Sequence, residues 1–141
     1  VRCRGLGDVY KRQCTFWMPA WDDNGELTED PQSEISLIWY GSRAGLEDRV
    51  FRIRTERSSA TIPDTRTSHN ITNIEVMERS EGTIKLRFNW HTMYFRYNNV
   101  DPYYGTSFYT IDFGGESPII RRKTVILKND YIHHVVDIYH I

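Results

Sequence analysis

The chain has 141 residues, with 18 Lys and Arg against 19 Asp and Glu, for a formal net charge of −1. It has no basic run of the kind that nucleic-acid phosphates require, and no apolar run near the roughly 18 residues of a membrane-spanning helix. Two cysteines give no disulfide framework. The expectation is therefore one cytosolic domain without a secretory signal, in which the sequon Asn70-Ile71-Thr72 has no consequence.

Residues 1–13, VRCRGLGDVYKRQ, have neither helix nor strand period. They resemble the translation of a sequencing-adapter read-through and are set aside as a non-native segment, the alternative being a short natural basic arm. Gly5-Leu6-Gly7 is half of a phosphate-loop pattern, without the preceding strand or the third glycine. Without this segment Lys and Arg fall to 14 and Asp and Glu to 18, so that residues 14–141 form one mildly acidic domain near −4.

A short strand at Thr15–Met18 leads into the polar loop DDNGELTEDPQ and then an apolar run at Ile35–Tyr40. A helix is expected from about Ala44 to Arg57. Leu46, Val50 and Ile53 mark its apolar face, with Phe51 beside them. Glu47 and Asp48 fall in its first turn and Arg52, Arg54 and Arg57 towards its end, as the helix dipole favours, and Asp48 precedes Arg52 by four residues. Pro63 breaks the pattern in the corner SSATIPDTRTSH.

From Ser68 onward the chain reads as β, with strands near His69–Glu78, Thr83–Asn98, Tyr103–Phe113 and Ile119–Lys128. Turn signals separate them: Ser80-Glu81-Gly82, Asn98-Asn99 with Asp101-Pro102, and Gly114-Gly115 with Pro118. Such short connections imply an antiparallel meander. In the long strand, Ile84, Leu86, Phe88 and Trp90 share one face, whereas Met93, Phe95 and Tyr97 have the opposite parity. Either a bulge near His91–Met93 restores one buried face, or the second half is buried on both faces against a partner.

The segment LEDRVFRIRTERSSATIPDTRTSHNITNIEV (46–76), a helix feeding a strand through an Arg- and Thr-rich corner, carries a family resemblance. With FWMPAWDD, TEDPQSEISLIWYG, FNWHT, YYGTSFYTIDFGGE and KNDYIHHVVDIYHI, it resembles the small (beta) subunits of aromatic-ring-hydroxylating dioxygenases, in the benzoate and toluate 1,2-dioxygenase branch. The resemblance covers residues 14–141. It implies an α+β fold: a curved antiparallel sheet wrapped on a helix, the cone of the nuclear-transport-factor and scytalone-dehydratase type. It further implies that the N-terminal helices of the cone are missing here. The truncated chain, expressed alone from Cys14, is then expected to be marginally stable and to aggregate.

The reaction implied by the resemblance is oxygen activation at iron. A Rieske cluster needs two Cys and two His, and only Cys3 and Cys14 exist, without neighbouring His. For a mononuclear centre the tempting group is His133, His134 and Asp137, with Asp130 and His140 nearby. On a strand the two adjacent histidines point apart, and on a helix only His133 and Asp137 align, so structural or interface histidines are the expectation. Candidates for acid–base work inside a cone are His69, His91, Asp64, Tyr94 and Tyr109. His91 reads more simply as a polar strand position beside Trp90, and Asp64-Thr65-Arg66 as a turn with a charge pair. Arg66, Thr67 and His69 match the family's Arg-Thr-x-His corner, while Ser68 stands where relatives outside this branch often have Arg.

Four Trp and nine Tyr exceed the needs of one modest core and suit contact surfaces, although a twisted sheet also favours aromatics. Subunit-interface candidates are Arg57, Asp64, Arg66, Thr67, His69, Trp90, His91, Tyr103, Tyr104, His133 and His134. No catalytic, cofactor or metal residue is assigned. The resemblance implies a non-catalytic subunit that trimerises and supports three large (alpha) subunits in a hexamer. The large subunit would carry the Rieske two-iron two-sulfur cluster and the mononuclear iron, and a reductase would supply electrons from NADH for cis-dihydroxylation of an aromatic acid. The alternatives are a free-standing cone isomerase or dehydratase and a small-ligand carrier. Benzoate, toluate, halobenzoate and anthranilate all remain open as the acid.

Overall fold

Period-two runs joined by short turns fold into the expected meander. A computed structural model describes residues 9–55 and 65–141. Its elements are β1 (Tyr10–Pro19), β2 (Ser36–Tyr40), α1 (Arg43–Arg54), β3 (Arg66–Ser80), β4 (Thr83–Arg96), β5 (Asn99–Asp112), β6 (Ile119–Leu127) and a 3-10 turn at Ile138–His140. The six strands form one sheet in the order β2-β1-β6-β5-β4-β3. β3 to β6 pair antiparallel in sequence, and β1 joins the sheet by pairing parallel to β6.

One face of this sheet holds the core. Cys14, Phe16 and Met18 on β1, Phe88, Trp90 and Tyr94 on β4, Tyr103 on β5, and Val125 and Leu127 on β6 are all buried there. Leu46 of α1 packs into the same cluster. The helix lies close on the sheet because residue 45 is glycine: a Cβ there would stand 2.5 Å from the Tyr40 ring. Lys123 also points inward, its ammonium 5.1 Å from the Phe16 ring centroid and 5.5 Å from that of Tyr109. Burial lowers the pKa of its ammonium.

Several boundaries differ from those expected. β1 begins at Tyr10, five residues before Thr15, and so includes the end of the segment set aside. The helix begins at Arg43, which leaves its first turn without an acidic residue, and Arg43–Glu47 at 3.1 Å is its i,i+4 ion pair. Phe51 is exposed, whereas Val50 and Ile53 are partly covered. β5 begins at Asn99, so Asp101-Pro102 lies inside a strand instead of a turn. The turn is the pair Tyr97-Asn98, with φ of 49° and 63°, between the paired Arg96 and Asn99. Pro102 is tolerated because its missing N–H faces the side on which β6 has already ended. There the Pro102 carbonyl accepts from Asn129 Nδ2 at 2.8 Å.

Of the two alternatives for β4, the bulge near His91–Met93 is absent, since β4 keeps one unbroken register with β5. The buried face simply continues through Thr92, Tyr94 and Arg96, and Met93 and Tyr97 are left exposed on the other side. In the pairing of β4 with β3 the register shifts fall on β3, between Thr72 and Glu75 and between Val76 and Glu78, with Asn73 at φ 53°. Every residue of this edge strand is exposed.

Candidate functional site

Three arrangements on this framework bear on function: a buried polar dock, a charged outer face and the edge strand. The dock holds the C-terminal segment against α1. Arg49 donates from Nε to Asp137 Oδ1 at 2.9 Å and from a terminal nitrogen to Oδ2 at 2.6 Å. Asp137 is 2% exposed and also caps the last turn by accepting from the Ile138 amide. His140 Nδ1 accepts from the Asp137 amide at 2.8 Å, and its ring lies 4.3–4.4 Å from the rings of Tyr94, Tyr103 and Tyr139. Burial pushes the His140 imidazole down to about 4 despite the opposing charge of Asp137, so it is neutral at pH 7. Burial, helped by Asp101, pushes the Tyr103 phenol up to about 12.

The face of the sheet opposite the core carries two concave patches. One, of about 940 Å³, has an apolar floor that includes Trp17, Leu27, Phe108 and Ile126 and a wall of Asp22, Glu26, Glu29, Asp30 and Glu34. The other, of about 600 Å³, includes Thr110, Lys85, Arg121 and Arg122. Thr124 and Ile126 of the first and Arg122 of the second alternate along β6, so both patches open on one face.

The candidate residues are scattered over these regions. Arg57 and Asp64 lie outside the described residues. Arg66, Thr67 and His69 sit on exposed β3, where the Arg66 guanidinium stands 5.7 Å from the Phe95 ring centroid and His69 Nδ1 lies 3.1 Å from Thr92 Oγ1. Burial and then the charge of Lys123 lower the His69 pKa. Trp90 and Tyr103 belong to the chain's own core, and the indole N–H of Trp90 has no hydrogen-bond partner among the described residues. His91 and Tyr104 are paired across β4 and β5 on the outer face, both exposed. His133 packs edge-on to Tyr131 at 4.8 Å, and His134 Nε2 lies 3.7 Å from Asp101 Oδ2.

Among the described residues the acid–base candidates do not converge. His91 faces away from the cone interior, Tyr94 is wedged among Tyr103, Tyr139 and His140, and Tyr109 packs edge-on to Phe88 at 4.9 Å. Burial raises the Tyr109 phenol far above its usual value. Asp137, one of the tempting iron ligands, is occupied by Arg49. Among the described residues no three His, Cys, Asp or Glu side chains are placed to hold a metal ion, so they fit neither a Rieske cluster nor a mononuclear iron. No described helix is long and apolar enough to cross a membrane. Sequence reasoning missed both Arg49, for which no local signal exists, and the acidic patch. The density of carboxylates between Asp22 and Glu34 was the available signal.

Comparison with known proteins agrees with this layout. The model of the ring hydroxylating beta subunit family matches residues 4–134. The chain is 66% identical over 134 residues to the toluate 1,2-dioxygenase subunit beta of Pseudomonas putida, covering 95% of this chain and 83% of that one. Its fold is similar to the crystal structure of the benzoate 1,2-dioxygenase beta subunit of Burkholderia mallei. That match has a TM-score of 0.79 and 54% identity and covers 96% of this chain and 81% of the other. A scytalone-dehydratase-like protein of Novosphingobium aromaticivorans shares the fold alone, with a TM-score of 0.60 and 14% identity over 92% of this chain and 74% of that one. The architecture is thus the expected α+β cone.

Proposed function

The chain belongs to the ring hydroxylating beta subunit family, and from that premise we propose that it is the non-catalytic small subunit of a benzoate- or toluate-type ring-hydroxylating dioxygenase. The observation that carries the reading is identity of 66% to a toluate 1,2-dioxygenase beta subunit along 95% of the chain. In this reading the protein is cytoplasmic. The Rieske cluster and the mononuclear iron reside in a large alpha subunit, and a reductase feeds them electrons from NADH. The small subunit forms a trimer and supports three large subunits in a hexamer. In this reading its contribution is structural, in keeping with a described core packed with aromatic rings and with Arg49, Asp137 and His140 engaged in holding the C-terminal segment.

Co-expression with the large subunit tests this. The expected result is stable co-elution and NADH-dependent dihydroxylation of benzoate or a toluate once the reductase is added, with no turnover by the small subunit alone. Turnover by the isolated chain, or failure to co-elute, overturns the reading.

A further inference from the structure

Lys123 carries a charge into the inner face of the sheet without a counter-ion among the described residues. It is 8% exposed, and its ammonium makes neither a hydrogen bond nor an ion pair with any of them. Its surroundings are aromatic. The rings of Phe16 and Tyr109, at 5.1 and 5.5 Å, belong to its paired positions on β1 and β5. Burial keeps the phenols of Tyr10 and Tyr109 protonated, so neither supplies a negative charge. Across the interior the charge is felt by the His69 ring of β3, which cannot balance it either. Two aromatic faces offset part of the cost of burying an ammonium, but only an anion neutralises it.

Among the described residues this place is open on one side. Phe16, Lys123, Tyr109, Leu86 and Val76 form a row of directly paired positions across β1, β6, β5, β4 and β3. Exposure grows along the row, from 1% at Phe16 through the partly covered Tyr109 and Leu86 to 51% at Val76. Leu86 stands two strands and Val76 three strands from Lys123, roughly 10 and 14 Å. The row is thus an apolar floor that leads from the β3 side to a positive charge at its closed end. We propose that it binds a single-ring aromatic carboxylate, with the carboxylate on the Lys123 ammonium and the ring over Tyr109 and Leu86. The carboxylate supplies the missing counter-ion through a charge-assisted bond where little water competes. The ring packs on Tyr109 and covers the open side of the floor. An aliphatic acid brings the charge without the ring, and an aromatic amide the ring without the charge. A site of this kind does not require the small-subunit reading.

Isothermal titration calorimetry of the full chain with benzoate, benzamide, acetate and inorganic phosphate tests the site. Benzoate should bind saturably, one per chain, and raise the melting temperature as it does so. Benzamide, acetate and phosphate should each bind at least about tenfold more weakly, which is a reading that needs no variant. Lys123→Met keeps an apolar stem and removes the buried charge, so it should fold and melt at no lower temperature. Its affinity for benzoate should fall at least about tenfold. Tyr109→Leu removes the ring and keeps the charge, so benzoate should lose most of its advantage over acetate. Circular dichroism checks that both variants fold. Absence of saturable benzoate binding overturns the proposal, and so does an affinity that Lys123→Met leaves unchanged. Acetate or phosphate binding as tightly as benzoate reduces the place to a bare anion site and overturns it as well, as does benzamide binding as tightly as benzoate. The small-subunit reading is decided separately, by co-elution with the large subunit.

Discussion

Arg49→Met is the sharpest probe of the dock between α1 and the C-terminal segment. The substitution keeps an apolar stem of similar reach and removes the two hydrogen bonds, 2.9 and 2.6 Å, that neutralise Asp137. Asp137 is 2% exposed, so the remaining carboxylate would be a buried charge held only by the amides of the last turn, those of Ile138 and His140. Breaking a buried pair from one side costs about 3–5 kcal/mol. Because the Arg49 side chain is 23% exposed, water can reach the gap, and the low end, about 3 kcal/mol, is expected. An unfolding entropy of about 2.1 cal/mol/K per residue over 141 residues is about 0.3 kcal/mol/K, so Tm should fall by about 10 °C. Thermal melts followed by circular dichroism measure this, and hydrogen exchange should show residues 128–141 opening first. Adding Asp137→Asn should recover about 2 kcal/mol relative to additivity, since no charge is then stranded. A drop under about 3 °C, or strict additivity, would refute the dock as a source of stability.

Four further outcomes are expected. Gly105→Ala places a Cβ 2.0 Å from the Ile126 carbonyl and 3.0 Å from Trp90, so urea melts should show a loss of about 3 kcal/mol. Gly115→Ala, with open space around it, should change stability by no more than about 0.5 kcal/mol. His140 has a folded pKa of about 4 against 6.5 unfolded, so the unfolded chain binds the extra proton between those values. Its contribution is therefore complete above pH 6.5 and falls by about 3 kcal/mol as the pH drops to 4. His140→Asn, which keeps an acceptor for the Asp137 amide, should flatten that part of the pH–stability curve, and an unchanged curve contradicts the assignment. In a Cys3→Ser variant, the Cys14 thiol, fully buried and raised in pKa by burial, should react with iodoacetamide only on unfolding. Labelling at the rate of a free thiol in the folded protein would contradict its burial.

The local elements were legible because local signals encode them. Alternation in β3 to β6 and the turn residues between them gave the meander to within a few residues. The β4 parity was misread because polarity was taken for exposure: Thr92 and Arg96 are buried, so the inward face never switches. Lys123 breaks the same rule on β6. What remained hidden is long-range. Arg49 and Asp137 are 88 positions apart, and no pattern in either neighbourhood indicates the other. The C-terminal IHHVVDIYHI has no clean period, so the burial of His140 follows only from the rings around it. The acidic loop read as merely polar until the fold placed it over Trp17, Phe108 and Ile126.

The parallel pairing of β1 with β6 sets the timing of folding during synthesis. Phe16 meets Lys123 and Trp17 meets Thr124, so β1 cannot pair with β6 until more than 100 further residues have been made. At about 5–20 residues per second, that is a wait of roughly 5–20 s after β1 is made. Meanwhile Cys14, Phe16 and Met18, three of the most deeply buried side chains, are covered among the described elements by β2 and α1. The meander from β3 to β6 can form as it emerges, but closure of the sheet onto β1 must wait until β6 has been made. The nascent chain is thus vulnerable at β1, and a chaperone that shields β1 would act during that interval.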